Sequence, residues 1–379
     1  MNLYRRSTAQ VAAAIADSVE RLRFVRGHAA AHARRRQLTR RWFLLLALIS
    51  ITAATLVPKA SPSRAPAVVL PISIPQIADT RTVPNVWLVE KTADSETWSN
   101  GLRIDNHFLV TTHPRAYLAF PADGSSPLRR NAPAGIVFHT TESSQAPFEE
   151  SENQELKKIG ESLLEYVRRR EAYNFVVDRF GRVFRVVPED QTANHAGYSA
   201  WADANWFYVN LNDSFLGVSF EAASPGGLAP AQVSAARVLI EMLRHRFEIA
   251  ASNCVTHSQV SVNSANMLAG LHVDWAAGFP FEAVGLTDNY TVPSPLVWGL
   301  GFDYDAHFKG TAGEPLRDAI DDAEAILAAK AAAAGLSRAE YKERLRESYR
   351  EMLAQARGGR VLTAYRERSE NQSRLRSSP

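Results

Sequence analysis

Three histidines stand at or just after the ends of short apolar segments, positions from which a side chain can face a cleft. His139 ends residues 135–139, His257 ends residues 254–257, and His272 follows the apolar residues 267–271. Imidazole is a frequent zinc ligand, and a catalytic zinc site combines about three protein ligands with one open position. The three histidines therefore fit a catalytic zinc site, although the sequence contains neither an HExxH nor a CxxC motif.

Alternating strand and helix patterns surround these histidines. Apolar residues recur at helical spacing over residues 152–170 and 230–247, which predicts two amphipathic helices. Residues 173–178 and 183–187 predict a hairpin, and residues 214–221 predict a further strand. The expected fold class is therefore α/β (α+β), with a central mixed β-sheet flanked by helices.

The N-terminal residues predict that the folded part of the chain is exported to the far side of a membrane. Residues 1–41 contain ten arginines and only two acidic residues, and residues 42–58 are apolar and uncharged. About 17–25 apolar residues cross a bilayer, and arginines mark its cytoplasmic side. We expect an uncleaved signal-anchor, with a cleaved signal peptide as the alternative. In both cases the remainder is expected outside the cytoplasm, in the periplasm or at the cell surface.

The charge distribution argues against nucleic acid as a partner. The chain carries a net charge of +3, but its basic excess lies in the N-terminal tail, so the rest is mildly acidic. Binding to a phosphate backbone needs a basic face on the fold itself. The single cysteine, Cys254, excludes an intrachain disulfide.

Five segments in the middle of the chain resemble one known family. They are GIVFHTTES (135–143), YNFVVDRFGRVFRVVPED (173–190), NHAGYSAW (194–201), NDSFLGVSFE (212–221) and THSQVS (256–261). In content and order they are similar to the zinc-dependent N-acetylmuramoyl-L-alanine amidases of the type-2 amidase and peptidoglycan recognition protein superfamily. The resemblance covers roughly residues 135–285 and leaves out the N-terminal part and the tail.

The resemblance implies which residues bind the metal. It makes His139 and His257 zinc ligands. The third ligand of the family is a Cys or Asp followed by Pro-Gly, and this chain has neither sequence. We therefore predict His272 as the third ligand, with Asp274 as the alternative, since zinc accepts either imidazole or carboxylate.

The resemblance also implies the residues that handle the substrate. Tyr173 matches a tyrosine beside the metal, whose phenol can polarise the scissile carbonyl. Glu221 matches a glutamate that can take a proton and pass it to the leaving amine. His195, Thr140 and Asn194 are expected to line the substrate groove.

The implied activity is hydrolysis of the amide between N-acetylmuramic acid and L-alanine in peptidoglycan, with Zn²⁺ as cofactor. A non-catalytic module that recognises muropeptides is the alternative, and a zinc peptidase with another substrate is a third possibility.

The tail is expected to contain two helices with capping boxes, Thr311 with Glu314 and Ser337 with Glu340. The predicted organisation is a basic tail (1–41), a signal-anchor (42–58), a Pro- and Ser-rich linker (59–84), an extension packed on the catalytic domain (85–130), the zinc amidase domain (131–305), and C-terminal helices with a disordered end (306–379).

Overall fold

The computed structural model describes residues 83–223 and 226–376, with side chains up to residue 358. The predicted basic tail, the signal-anchor and nearly all of the linker lie outside the described residues. Of the helices in this described part, none is both long enough and apolar enough to cross a membrane.

The described residues form fifteen strands and eight α-helices. The strands are β1 (Leu88–Lys91), β2 (Ser95–Trp98), β3 (Arg103–Asp105), β4 (Tyr117–Pro121), β5 (Leu128–Arg130), β6 (Gly135–Thr140), β7 (Phe175–Val177), β8 (Val183–Arg185), β9 (Ala200–Ala202), β10 (Trp206–Val209), β11 (Phe215–Phe220), β12 (Cys254–Thr256), β13 (Val262–Asn263), β14 (Leu268–Ala269) and β15 (Asp303–Tyr304). The helices are α1 (Asn153–Arg169), α2 (Leu211–Ser214), α3 (Pro230–Phe247), α4 (His257–Val260), α5 (Pro295–Trp298), α6 (Ala306–Thr311), α7 (Glu314–Ala333) and α8 (Arg338–Arg376).

An eight-stranded mixed sheet forms the centre, in the order β1-β2-β3-β8-β7-β11-β6-β12. β6 pairs in parallel with β11 on one side and with β12 on the other. Every residue of β6 and β11 is buried, as expected for parallel strands that are covered on both faces. The expectation of a central mixed sheet flanked by helices is confirmed.

Two helices cover the sheet, one on each face. Leu163 and Leu164 of α1 pack in one buried cluster with Val176 of the sheet. Leu243 of α3 belongs to a second cluster, which contains Phe138 from β6. Neighbouring residues of a strand point to opposite faces, so His139, next to Phe138, faces the α1 side. The two predicted amphipathic helices therefore hold the strand that carries His139 between them.

Strands from residues 85–130 belong to the same sheets as the predicted amidase domain. β3 pairs in parallel with β8, and β1 and β2 continue the central sheet outward. β4 enters a second sheet, ordered β5-β4-β10-β9, and a third small sheet joins β13, β14 and β15. The described part of the extension is thus built into the fold by backbone hydrogen bonds.

A buried ionic group links these added strands to the domain. Arg185 of β8 lies 2.8 Å from Glu96 of β2 and 2.9 Å from Glu189. Arg246 lies 3.3 Å from Glu189, and Lys91 lies 3.0 Å from Glu96. We call this set the Arg185 network.

The last two helices pack back on the domain. Tyr349 of α8 is buried, and its ring centroid lies 4.8 Å from that of Phe302. Lys342 and Arg346 of α8 both pair with Asp303. The part of α8 from Lys342 to Tyr349 therefore has a fixed position on the domain.

Candidate metal centre

Two histidines meet at one edge of the central sheet. His139 is near the carboxyl end of β6, and His257 is the first residue of α4, directly after β12. Because β6 and β12 are parallel neighbours, their carboxyl ends lie at the same edge. The two imidazole centroids are 4.6 Å apart, and the two side chains are 1% and 7% exposed.

Asp274 completes the group. Its carboxylate lies 3.0 Å from Nδ1 of His257 and 3.4 Å from Nδ1 of His139. One ligand atom from each of the three residues lies within 4.8 Å of the other two. We call His139, His257 and Asp274 the metal cluster, because two imidazole nitrogens and one carboxylate oxygen at this spacing suit one metal ion.

His272 lies outside this group, and the predicted choice of third ligand changes accordingly. Its ring stacks on that of His257, with centroids 4.3 Å apart and planes 20° apart, and the residue is exposed. The next residue after Asp274, Trp275, is buried, and its carbonyl accepts hydrogen bonds from Ser258 and Tyr290. This anchoring turns the Asp274 carboxylate inward, so Asp274, the alternative, replaces His272 as the candidate ligand.

In the described part of the chain, only histidines lie close to the charge of Asp274. Burial alone raises the pKa of Asp274, but the adjacent imidazoles of His139 and His257 lower it far below its usual value. Burial lowers the pKa of His139 to about 4, so this imidazole is neutral at pH 7. Among the described residues, no lysine or arginine pairs with Asp274. A buried carboxylate in this position calls for a cation.

His195 determines which nitrogen of His139 faces the cluster. Nε2 of His195 lies 3.3 Å from the carbonyl oxygen of Phe215, and its Nδ1 lies 3.1 Å from Nε2 of His139. A carbonyl only accepts, so His195 carries its proton on Nε2 and its Nδ1 accepts from His139. Burial lowers the pKa of His195 well below its usual value, which agrees with a neutral ring. Nδ1 of His139 is therefore left unprotonated toward Asp274.

His195 was expected to line the substrate groove, but its ring lies inside the protein. Both of its ring nitrogens are engaged inside the protein, and its backbone N–H donates to Asn212. Gly217 leaves the room for its ring, since a Cβ there would lie 2.6 Å from the ring carbon Cγ. The structure makes His195 a support for His139 rather than a surface contact.

The sequence interpretation missed an arginine that fixes this support. Arg115 is buried, and its guanidinium donates to the carbonyls of Phe215, Asp213 and Glu189. It therefore holds the start of β11, whose first carbonyl accepts from His195. A lone arginine in the predicted extension gives no local sign of this role, because all its partners are distant backbone atoms.

Tyr173 lies beside the cluster, as the sequence predicted for a residue near the metal. Its ring centroid is 5.1 Å from that of His139, and burial raises its pKa to about 12. The backbone of Tyr173 has φ +57°, a left-handed conformation that is uncommon for an aromatic residue. Such strain often marks functional positions.

Glu221 lies on the same face as His139 but not in the cluster. Ser219 of β11 is the register partner of His139, and Glu221 follows two residues later. Its Oε2 accepts the backbone N–H of Arg179 at 3.2 Å, and burial raises its pKa. None of the contacts described for Glu221 is with His139, His257 or Asp274. Its role as proton carrier stays a prediction.

The other two predicted groove residues are divided between the interior and the surface. Thr140 is buried, and its hydroxyl donates to Glu142 at 2.5 Å. Asn194 is exposed and donates to the backbone carbonyl of Arg170 at 3.1 Å. Asn194 also lines a cavity beside Tyr173, so of these two only Asn194 is placed to touch a bound molecule.

The donor set of the metal cluster fits zinc. Zinc binds imidazole nitrogen and carboxylate oxygen, and catalytic sites with two histidines and one acidic residue leave a position for water. His195 supplies the hydrogen bond to the far nitrogen of a ligand that such sites use to orient an imidazole. The cluster therefore has the chemistry of a catalytic metal site.

The middle of the chain matches a known protein family. Residues 129–267 match the family model described as N-acetylmuramoyl-L-alanine amidase. The resemblance inferred from the five sequence segments is confirmed for this part of the chain. The match includes His139 and His257 and ends before Asp274. A search among curated proteins found no match.

Several solved amidase structures are similar to this chain. AmpDh3 from Pseudomonas aeruginosa, in complex with an anhydromuramic pentapeptide, is 19% identical, with a TM-score of 0.32 over 42% of this chain and 61% of its own. AmiD from E. coli, in complex with anhydro-N-acetylmuramic acid-L-Ala-D-γ-Glu-L-Lys, is 22% identical, with a TM-score of 0.31 over 43% of this chain and 60% of its own. LysC from Clostridium intestinale is 18% identical, with a TM-score of 0.26 over 46% and 93%. The chain thus spans about three fifths of the first two.

Proposed function

We propose that this protein is a zinc-dependent amidase that cleaves peptidoglycan between the lactyl group of N-acetylmuramic acid and L-alanine. One observation carries the proposal: the metal cluster lies at the carboxyl ends of two parallel strands, and the residues that form these strands match the amidase family model. His139, His257 and Asp274 would hold the ion. When bound there, zinc polarises a carbonyl and lowers the pKa of a water molecule toward about 7.

The side chains around the cluster divide the remaining work. Tyr173, protonated at neutral pH because burial raises its pKa, donates a hydrogen bond to the oxygen of the scissile carbonyl. His195 keeps the proton of His139 on Nε2, so the Nδ1 lone pair stays directed at the cluster. Asn194 contacts the substrate from the cavity beside Tyr173.

Glu221 is the proposed proton carrier. It lies on the His139 face at the end of the neighbouring strand, and its raised pKa is suited to a group that takes a proton and returns it. We expect Glu221→Gln to retain zinc and lower kcat by roughly 10²–10⁴-fold. The matched variant is Glu142→Gln, which removes the exposed carboxyl that follows His139. Near wild-type turnover by Glu221→Gln would show that Glu221 is not the proton carrier. A loss of turnover in Glu142→Gln alone would assign that role to Glu142.

The activity is tested on purified sacculi and on a defined N-acetylmuramoyl tripeptide. The zinc-loaded protein should release peptides with a new free amino group on L-alanine and leave a free lactyl carboxylate, both visible by mass spectrometry. The chelated protein should release neither. Binding of the tripeptide without cleavage by the zinc-loaded protein would support the recognition-module alternative. Intact sacculi with hydrolysis of another amide would support a different zinc peptidase.

We also propose that residues 42–58 anchor the chain in the cytoplasmic membrane and place the amidase domain outside the cytoplasm. The support is the arginine-rich segment before an apolar, uncharged run. Peptidoglycan lies on that side of the membrane, so the location agrees with the proposed substrate. Fractionation of cells, followed by protease treatment of the intact spheroplasts, tests it: a protected amidase domain would contradict the topology.

A further inference from the structure

Ser219 is a buried polar residue on the face of the central sheet that carries His139. It is the register partner of His139 in β6 and of Val176 in β7. Register partners in neighbouring strands point to the same face of a sheet, so the Ser219 side chain lies between these two. The residue is 0% exposed, and its Oγ has no hydrogen-bond partner among the described residues. Because most buried hydroxyls are hydrogen-bonded, this one requires an explanation.

The phenol of Tyr173 is a polar neighbour of the Ser219 hydroxyl. Tyr173 packs against the buried residues of the same face, and its ring centroid lies 5.1 Å from that of His139. Burial raises the pKa of Tyr173, and a contact with the Ser219 hydroxyl opposes that increase. The two hydroxyl groups are therefore close together, although they are not aligned as a formed hydrogen bond. The His139 ring cannot take this role, because its two nitrogens face His195 and Asp274.

Only the outer of these two residues is open to a bound molecule. Tyr173 is partly buried and lines a cavity of about 410 Å³, whereas Ser219 is completely enclosed. Ser219 can therefore act on a substrate only through Tyr173. A phenol that donates its proton outward keeps lone pairs on its oxygen, and these can accept from a serine hydroxyl. Catalytic hydrogen bonds that are poorly aligned in the free protein often tighten in the substrate complex.

We propose that Ser219 is a positioning residue for Tyr173: its hydroxyl donates to the phenol oxygen and keeps the phenol proton directed at the scissile carbonyl. The bond satisfies the buried serine hydroxyl, which otherwise has no partner. It also polarises the phenol, because hydrogen bonds in a chain strengthen one another. The inference rests on the proposed amidase function, since it names the group that orients the hydrogen-bond donor of the same site.

A double-mutant cycle on the zinc-loaded protein tests the inference with the defined N-acetylmuramoyl tripeptide. Ser219→Ala should lower kcat by about 3- to 10-fold, the scale of one neutral hydrogen bond. In the Tyr173→Phe background, Ser219→Ala should cause no further loss, because Ser219 acts through the phenol. The matched control is Ser214→Ala, which removes another buried serine hydroxyl without a described partner, just before β11. It should keep the kcat of the wild type, and thermal melting checks that every variant is folded.

A spectroscopic measurement adds a readout that does not depend on cleavage. In zinc-loaded protein labelled with ¹³C at the tyrosine Cζ, the Tyr173 signal is the one that disappears in Tyr173→Phe. Ser219→Ala should shift this signal, and Ser214→Ala should leave it in place. A shift without cleavage of the tripeptide by the wild type would support the pairing of the two hydroxyls and contradict the amidase function.

Three results would overturn the role of Ser219. They are an unchanged Tyr173 signal in Ser219→Ala, wild-type kcat in that variant, and the same loss of kcat from Ser219→Ala with or without the Tyr173 phenol. A loss of kcat in Ser214→Ala equal to that in Ser219→Ala would also do so, because it would show a general effect of removing a buried hydroxyl. In each of these cases, cleavage of the tripeptide by the wild type would leave the amidase function standing.

Discussion

Two buried polar groups on the same central sheet use similar atoms for different purposes. In the Arg185 network, each carboxylate lies within about 3 Å of a side chain that is always cationic. In the metal cluster, the only carboxylate, Asp274, faces two imidazoles, and His139 is neutral at pH 7 because burial lowers its pKa to about 4. The first group is balanced by the protein itself. The second is balanced when a cation enters.

This difference separates structure from function. A paired buried network stabilises the fold or defines its geometry, and needs no ligand. Lone pairs that converge beside a buried carboxylate cost free energy unless they coordinate a cation. A folded structure that contains such a group therefore indicates a cation-binding site. Variants in the two groups should therefore have opposite effects: loss of metal in one and loss of stability in the other.

The largest expected effect is the loss of metal from Asp274→Ala. Removing the carboxylate leaves two imidazoles, too few for a zinc site of three protein ligands. After dialysis against zinc-free buffer, metal analysis should find no bound zinc in Asp274→Ala. His272→Ala is the matched control, and it should keep one zinc per chain because its ring only stacks on His257. The reverse result would restore His272 as the third ligand.

The choice between these two residues shows where sequence-based reasoning reaches its limit. Both residues contact His257, one by stacking and one by hydrogen bonding. The segment that carries them has no regular secondary structure around residues 270–273, so no periodicity fixes which side chain turns inward. The direction of Asp274 is fixed by its neighbour Trp275, which is buried and whose carbonyl accepts hydrogen bonds from Ser258 and Tyr290. These two donors are 17 and 15 residues away in the sequence, so the local pattern does not show them.

Local patterns were sufficient for the main elements. The amphipathic repeat predicted residues 230–247, and α3 has those bounds. The Ser337 capping box is confirmed, since the Ser337 N–H donates to Glu340 and the Glu340 N–H donates to Ser337. The Thr311 box is wrong: Thr311 ends α6 and donates to the Phe308 carbonyl, and Gly313 caps the next helix. The Thr311 hydroxyl bonds within the short helix α6 and therefore does not cap the helix that follows.

The second largest effect is expected in the Arg185 network. Arg185→Met leaves Glu96 and Glu189 buried without their shared cation, so the free energy of unfolding should fall by about 3–5 kcal/mol. Urea unfolding of the chelated protein measures it. Arg169→Met, which breaks an exposed pair with Glu165, should cost less than about 1 kcal/mol.

The zinc affinity of Arg185→Met should equal that of the wild type, since none of the network residues belongs to the metal cluster. A loss of zinc as large as that of Asp274→Ala would show that the two groups act as one. A loss in the free energy of unfolding no larger than that of Arg169→Met would show that the Arg185 network does not stabilise the fold. Either result would break the division between a structural group and a ligand-binding group.

The third effect concerns the support behind the metal cluster. His195→Leu removes the acceptor for Nε2 of His139, so His139 loses its fixed tautomer and zinc affinity should fall by about 10- to 100-fold. His195→Gln keeps an acceptor oxygen and should lose less. Competition with a fluorescent chelator measures both affinities, and thermal melting of the chelated proteins checks that each variant is folded. Equal affinities in wild type and His195→Leu would refute the supporting role.

The smallest effect is a difference in acid sensitivity that belongs to the Arg185 network alone. Burial opposes ionisation of Glu96, but Arg185 and Lys91 lower its pKa from 4.5 to about 2. A carboxyl with a lowered folded-state pKa adds stability above pH 4.5 and loses that stability as pH falls toward 2. Between pH 7 and pH 3.5, the chelated wild type should therefore lose about 1 kcal/mol more than chelated Glu96→Gln. Parallel pH profiles of urea unfolding for the two proteins would show that Glu96 is not held ionised by its partners. Chelation excludes any contribution from zinc release, so the measured difference reports only the group that the protein balances by itself.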